Sequence, residues 1–324
     1  MQKRLPTLVA AISASWALIL PAQQLPDRTF QPAVPRPSYP RGEGPVVCVD
    51  QAHFNFHTLD GRFWAFGELL RVDGYRVRAN RSRFDPGALA ACTVLVIANA
   101  QPSDVDWDDY PYPTPSAFAA AEVTAVDRWV RHGGRLLLIA DHMPLAGAAA
   151  GLAAAFGVRF RDGFAVDAFV GDSGRNAAFE KPTIFGTRDG TLRAHAIVKG
   201  RDRGESVASV RTFLGQAFQI PPGAEGLLVL PSTFTMLMPT KAWQFRADTR
   251  RVAVGGWSQG AVIRVGSGRV GVFGEAAMFT AQVQGPNREP LGMNAPGAEQ
   301  NFQFVLNLLR WLSAHQRAPA PHPQ

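Results

Sequence analysis

From residue 46 onward, apolar runs alternate with helically spaced patterns. Residues 46–50 (VVCVD) read as a short strand ending on an acid. Residues 63–72 carry apolar positions at helical spacing and stop at Asp73-Gly74, and residues 75–79 resume as a strand. Residues 93–98 (TVLVIA) form a run apolar on both faces. Residues 116–132 are helical, with Ser116 as candidate cap and Gly133-Gly134 as stop. Residues 135–140 (RLLLIA) form a fourth strand that runs into Asp141-His142, and residues 148–156 are again helical. Strands alternating with helices imply βαβ units and a mainly parallel sheet. The second half differs. Residues 209–217, 226–230 and 234–238 read as strands. Residues 261–265 and 269–273 flank a Gly266-Ser267-Gly268 turn as a hairpin, and residues 301–312 close the chain as an amphipathic helix. The fold class expected is therefore α/β, with a mainly parallel sheet extended by antiparallel strands in the C-terminal half.

Composition sets the limits of that picture. The chain has 324 residues, 46% of them hydrophobic and 18% charged, which suffices for one sizeable core. Its net charge of +7 comes from dispersed arginines, with lysine only at Lys3, Lys181, Lys199 and Lys241. No stripe is dense enough to track a phosphate backbone, so nucleic acid is excluded as a partner. Residues 1–22 combine a basic start, an apolar stretch and a small-residue end at Pro21-Ala22, the pattern of a secretory signal peptide. The expected location is periplasmic or secreted, with membrane contact only in transit. Residues 23–44 are proline-rich and read as an extended linker, residues 45–314 as the folded domain, and residues 315–324 as a disordered tail. Cys48 and Cys92 rule out a disulfide scaffold and read as two small buried hydrophobes, with a bridge between them left open.

In an open α/β sheet, ligands bind beyond the carboxyl ends of the parallel strands. Polar residues fall at those ends: Asp50, Gln51, His53, Asn55 and His57 after the first strand, Asn99 and Gln101 after the third, Asp141 and His142 after the fourth, and Glu275 after the late strand. Asp141, His142 and Glu275 are the candidate catalytic groups. Asp50, His53 and His57 are the candidate ligands of a divalent metal, because imidazole and carboxylate suit such ions and a spacing of four places both rings on one face of a helical turn. The alternative for the histidines is a structural polar network. Asn55, Asn99, Gln101 and Trp107 are candidate substrate contacts. Asp104, Asp106, Asp108 and Asp109 surround Trp107 in a loop that overhangs the same edge, either as a lid or as a solvated acidic loop.

Three segments are similar to uncharacterised bacterial proteins of the class I glutamine-amidotransferase-like superfamily, and most to its DUF4350-type domains. They are DQAHFNFH at 50–57, GGRLLLIADH at 133–142, and GEAAMF at 274–279 with the helix at 301–312. His195-Ala196-Ile197 also resembles that group's His-Pro-Ile element. The resemblance covers residues 45–313 and implies a flavodoxin-like three-layer sandwich. True amidotransferases of this class carry a cysteine at the strand-to-helix elbow and a late histidine and glutamate. Here Asp141 occupies the elbow and Glu275 has no late histidine beside it, so thiol-dependent glutamine hydrolysis is not expected. Two functions remain. One is an exported hydrolase-like enzyme acting on a polar envelope molecule such as a sugar derivative. The other is a non-catalytic module that binds a glycan or a protein partner.

Overall fold

Alternate residues of the central strands face opposite sides, and each side has found its own apolar layer. The computed structural model describes residues 24–168 and 181–314. Residues 1–22, read above as a signal peptide, and residues 315–324, read as a tail, lie outside the described residues. In chain order, the first half contains β1 (Leu25–Pro26), β2 (Val46–Asp50), α1 (Trp64–Val72), β3 (Arg76–Asn80), α2 (Pro86–Ala90), β4 (Val94–Ala98), α3 (Ala120–Arg131), β5 (Arg135–Ile139) and α4 (Leu145–Ala155). The second half contains β6 (Phe164–Asp167), β7 (Thr183–Gly186), α5 (Ala196–Lys199), β8 (Ser209–Thr212), β9 (Glu225–Val229), β10 (Phe234–Met238) and β11 (Arg250–Ala253). It ends with β12 (Ser258–Val265), β13 (Gly268–Phe273), β14 (Ala281–Gln284), β15 (Glu289–Gly292) and α6 (Asn301–Ser313).

The main sheet has seven strands in the order β3-β2-β4-β5-β13-β12-β9. The β3-β2-β4-β5-β13 part is parallel, and β12 and β9 add antiparallel strands at one side. This is the flavodoxin-like order, in which the direction of winding reverses between β2 and β4. Val47, Val49, Val96, Leu137 and Ile139 pack under α1 and α6, while Cys48, Leu95, Ile97, Leu136 and Leu138 pack under α2, α3 and α4. The result is a three-layer sandwich with a mainly parallel sheet. Smaller antiparallel sheets, β11-β10-β6 and β7-β8, come from the insertion between α4 and β12.

Several local expectations are corrected. The helix read from 116 begins at Ala120, because Ser116 Oγ accepts from Phe118 N in a turn of its own and Glu122 closes the cap by accepting from Ala119 N at 3.0 Å. The strand read over 209–217 ends at Thr212. Gly215 takes φ +110°, and a Cβ there would meet Gly274 O at 2.2 Å, so the chain bends where it crosses the end of β13. Cys48 and Cys92 are joined in a disulfide, with Cα atoms 5.7 Å apart, that ties β2 to the start of β4. Reading them as separate hydrophobes missed that β2 and β4 are neighbours.

The described part of the proline-rich segment, with turns at 28–29 and 41–43, packs against the domain at several points. Leu25 and Pro26 pair with β14. Ser38 bonds to Asp73 through both its backbone N–H and its hydroxyl, and Arg36 pairs with Asp202 and Glu205. The Tyr39 ring meets Tyr75 edge-on at 5.1 Å, and both hydroxyls reach Ser313.

Candidate functional site

The parallel strands deliver Asp50, Asn80, Asn99, Asp141 and Glu275 to one rim, because each residue ends or follows a strand of common direction. At the winding reversal, the loop 51–57 folds back over the strand ends. Phe56 N donates to Asn99 O and Gln101 N to His53 O. Phe54 reaches φ +46° to make this turn, and the loop contains no helix. The helical spacing expected for His53 and His57 therefore does not apply.

His53 lies between two acids. Its Nδ1 is 2.8 Å from Asp50 Oδ2 and its Nε2 is 2.9 Å from Glu122 Oε1. Ionised carboxylates only accept, so this placement between two acids favours the doubly protonated ring. Burial opposes that charge, but the hydrogen bonds and charges of Asp50 and Glu122 outweigh it and raise the His53 pKa. Burial likewise disfavours the Glu122 carboxylate, yet bonds from Ala119 N, His53 and Phe84 N hold its pKa down to about 2. Phe84 and Phe118 enclose the ring at 4.6 and 4.8 Å. Asn55 donates to Asp50 and to Ala98 O.

His57 is treated in the opposite way. It sits against Phe56 and Phe63, and its Nδ1 accepts from Asn99 Nδ2 at 3.2 Å. Burial, helped by the charge of Arg62, pushes its pKa down to about 3, so it is neutral. The metal-ligand expectation for Asp50, His53 and His57 is thus corrected: both His53 ring nitrogens are engaged by Asp50 and Glu122, and His57 packs separately against Phe56 and Phe63. Among the described residues no group of three or more His, Cys, Asp or Glu side chains is arranged to hold a metal ion.

The candidate catalytic residues do come together. Asn99, at φ +49°, accepts from Asp141 N at 2.9 Å and so links the loop 51–57 to the β5 end. Asp141 Oδ1 accepts from His142 N and lies 4.0 Å from His142 Nε2. Glu275 is buried beside Asp141 and accepts from Ala277 N and Met278 N at 2.7 and 2.8 Å. Burial, then the Asp141 charge, raises its pKa well above the usual carboxylate range, and the backbone N–H groups oppose that only in part.

The outer side of the rim is aromatic. His142 stacks on Phe164 at 4.4 Å and meets Trp243 and Trp107 edge-on at 4.8 and 5.7 Å. Trp107 packs on Phe56 at 4.8 Å, and its indole N–H donates to Gln101 Oε1 at 2.8 Å while Gln101 Nε2 holds Phe54 O. Phe54, Tyr112 and Trp243 are each about half exposed. Of the expected ligand contacts, Asn55 and Asn99 are buried in loop-fixing bonds and Gln101 orients Trp107. Only Trp107 presents a surface of its own. Sequence reading missed Glu122, which closes the cap of α3 three residues after Ala119, and gave no role to Phe56, inside the 50–57 segment, or to Trp243, which belongs to no motif.

No family model matches the chain, and no curated protein matches it. Among solved structures, the mmIFT52 N-terminal domain is similar in fold, with a TM-score of 0.56 and 12% identity over 84% of this chain and 100% of that one. A cytoplasmic protein from Salmonella typhimurium LT2 superimposes with a TM-score of 0.46 and 12% identity, over 82% of this chain and 98% of that one. A protein described as ThuA-like from Bacteroides uniformis gives 0.42 and 11%, over 87% and 94%. The first likeness is one of fold and extends the α/β architecture over most of the chain. The flavodoxin-like strand order that an amidotransferase-like domain implies is the order observed.

Proposed function

We propose that the chain is an exported glycan-binding protein of the DUF4350 type, built on an amidotransferase-like fold and binding through the aromatic rim without catalysis. One observation carries the reading. The imidazoles and most of the acids at the strand ends are tied inward by hydrogen bonds, whereas Trp107 and Trp243 meet His142 edge-on, Trp243 is about half exposed, and Phe54, in the loop that Gln101 fixes beside Trp107, is about half exposed as well. Sugar rings present apolar C–H faces that pack on such aromatics, and polar groups beside them fix orientation. The Cys48–Cys92 bridge supports export, since such bridges persist in oxidising compartments.

Glycan-array screening followed by calorimetric titration of the best oligosaccharide tests the reading. Trp107→Ala and Trp243→Ala are each expected to weaken binding about tenfold, the loss of one stacked ring face. Asp141→Asn should leave affinity unchanged. Absence of saturable binding across the array, or binding indifferent to both tryptophans, defeats the proposal.

A second reading, an exported hydrolase, draws on one specific pair. Glu275, whose pKa burial and then the charge of Asp141 raise well above the usual carboxylate range, lies beside that second carboxyl, and two neighbouring carboxyls with separated proton affinities are what an acid–base pair uses. Turnover of an array-positive glycan that Asp141→Asn abolishes would establish it and retire the non-catalytic reading.

A further inference from the structure

The aromatic rim ends at a cation with no counter-ion. Arg62 is half-buried, and its guanidinium stacks over Phe56 at 3.7 Å from the ring centre. Its Nη1 donates to Phe56 O at 3.3 Å, its Nε is buried without a partner, and no ion pair is formed by this side chain among the described residues. Arg310, by contrast, meets Asp73 and Glu205, while Arg135 and Arg269, also without an ion pair among the described residues, stand at the starts of β5 and β13, the end opposite the rim, and donate to the last carbonyls of α6 at Leu312 and Trp311. The ring next to Arg62 is His57, which that charge helps to keep neutral, and the first turn of α1 that follows contains no acidic side chain. A partly desolvated guanidinium with unused donors gains from an incoming oxyanion, because the desolvation cost has already been met in the free protein. Phe56 joins this cation to Trp107, and Trp107 joins His142 and Trp243. The opposite sign of charge, Asp104, Asp106, Asp108 and Asp109, is exposed around Trp107.

We infer that Arg62 is the specificity-determining residue of the rim and receives the carboxylate or sulfate of an acidic sugar whose neighbouring rings lie on Phe56 and Trp107. This rests on the glycan-binding reading. It adds a ligand class, acidic oligosaccharides, and a polarity, with the anionic group at the Arg62 end and away from the acidic loop.

The test titrates the full mature chain with hexagalacturonate, a heparin hexasaccharide and cellohexaose, in low and high salt. At least one acidic hexasaccharide is expected to bind about tenfold or more tightly than cellohexaose, with a preference that shrinks in salt. Arg62→Gln should remove that preference in a variant that still folds and still binds cellohexaose. Arg62→Lys, which keeps the charge but loses the planar fork, should retain part of it. An acidic preference that survives Arg62→Gln overturns the inference, as does equal binding of acidic and neutral probes. In both cases the glycan reading stands. If none of the probes and no array glycan binds, the glycan reading itself fails. Failure of both Arg62→Gln and Arg62→Met to fold assigns the guanidinium to the fold and also overturns the inference.

Discussion

His53 and His57 stand four residues apart in one loop, and their surroundings move their proton affinities in opposite directions. The His53 pKa is raised above 6.5, so its contribution to stability is complete below 6.5 and is lost as pH climbs through the raised value. The His57 pKa is depressed to about 3. Below 6.5 the unfolded chain binds a proton that the folded chain refuses, and stability falls progressively toward pH 3. Glu122, held at about 2 against an ordinary 4.5, adds a further loss between those values on acidification. Stability limited by these groups should therefore peak around pH 6.5. Urea midpoints measured across pH check this: His53→Gln should flatten the alkaline decline and His57→Gln the acidic one. Unchanged limbs in both variants would refute the assignment. At the optimum, His53→Ala leaves Asp50 and Glu122 buried without their shared cation, at a cost of about 3 kcal/mol.

At the scale of elements, two connections hold the β2 neighbourhood. The Cys48–Cys92 bridge spans a sequence separation of 44 and encloses α1, β3 and α2. Chain-entropy reasoning assigns a loop of that length about 4 kcal/mol, so a Cys48→Ala/Cys92→Ala variant should unfold at clearly lower guanidinium concentration. Equal midpoints with and without reductant would contradict it. The second connection is the proline-rich segment. Asp73 is fully buried, and burial raises its pKa against the opposing bonds from Ser38 and the charge of Arg310. Asp73→Ala should release Ser38, whose two bonds it accepts, while Arg310 keeps Glu205, costing about 2 kcal/mol and opening Arg41 to trypsin early in limited digestion. A wild-type digestion pattern would show that the segment is held elsewhere.

For the whole molecule, the two faces of the sheet are closed by helices, so the strand-end rim is where loops of both halves meet. The first half contributes the loops holding Phe54, Asn99, Trp107 and Asp141. The insertion between α4 and β12 brings Phe164 and Trp243, and the turn after β13 brings Glu275. Residues remote in sequence therefore share one surface. The glycan reading predicts that Trp107→Ala and Trp243→Ala, 136 positions apart, act on the same ligand. Less-than-additive losses in the double variant would be the signature of a shared site, and strict additivity would speak for separate ones.

Local pattern was enough for β2 to β5, for α1, α4 and the body of α3, for the closing helix, and for the common rim of Asp50, Asn99, Asp141 and Glu275, but it missed the short α2. Period-2 and period-3.6 burial, with the rule that βαβ strands run parallel, decide those from neighbouring residues alone. It was not enough to say what the rim residues do. His53 became a charged strut because α3 carries Glu122 against it, and His57 a neutral one because Phe56 and Phe63 close around it. The cysteines became a bridge because β2 and β4 pair, and Arg62 was left without an acid because no carboxylate from elsewhere in the described chain comes within reach. Proton affinity and hydrogen-bond supply depend on what lies within a few ångströms in space, and that neighbourhood is assembled from distant parts of the chain only when it folds.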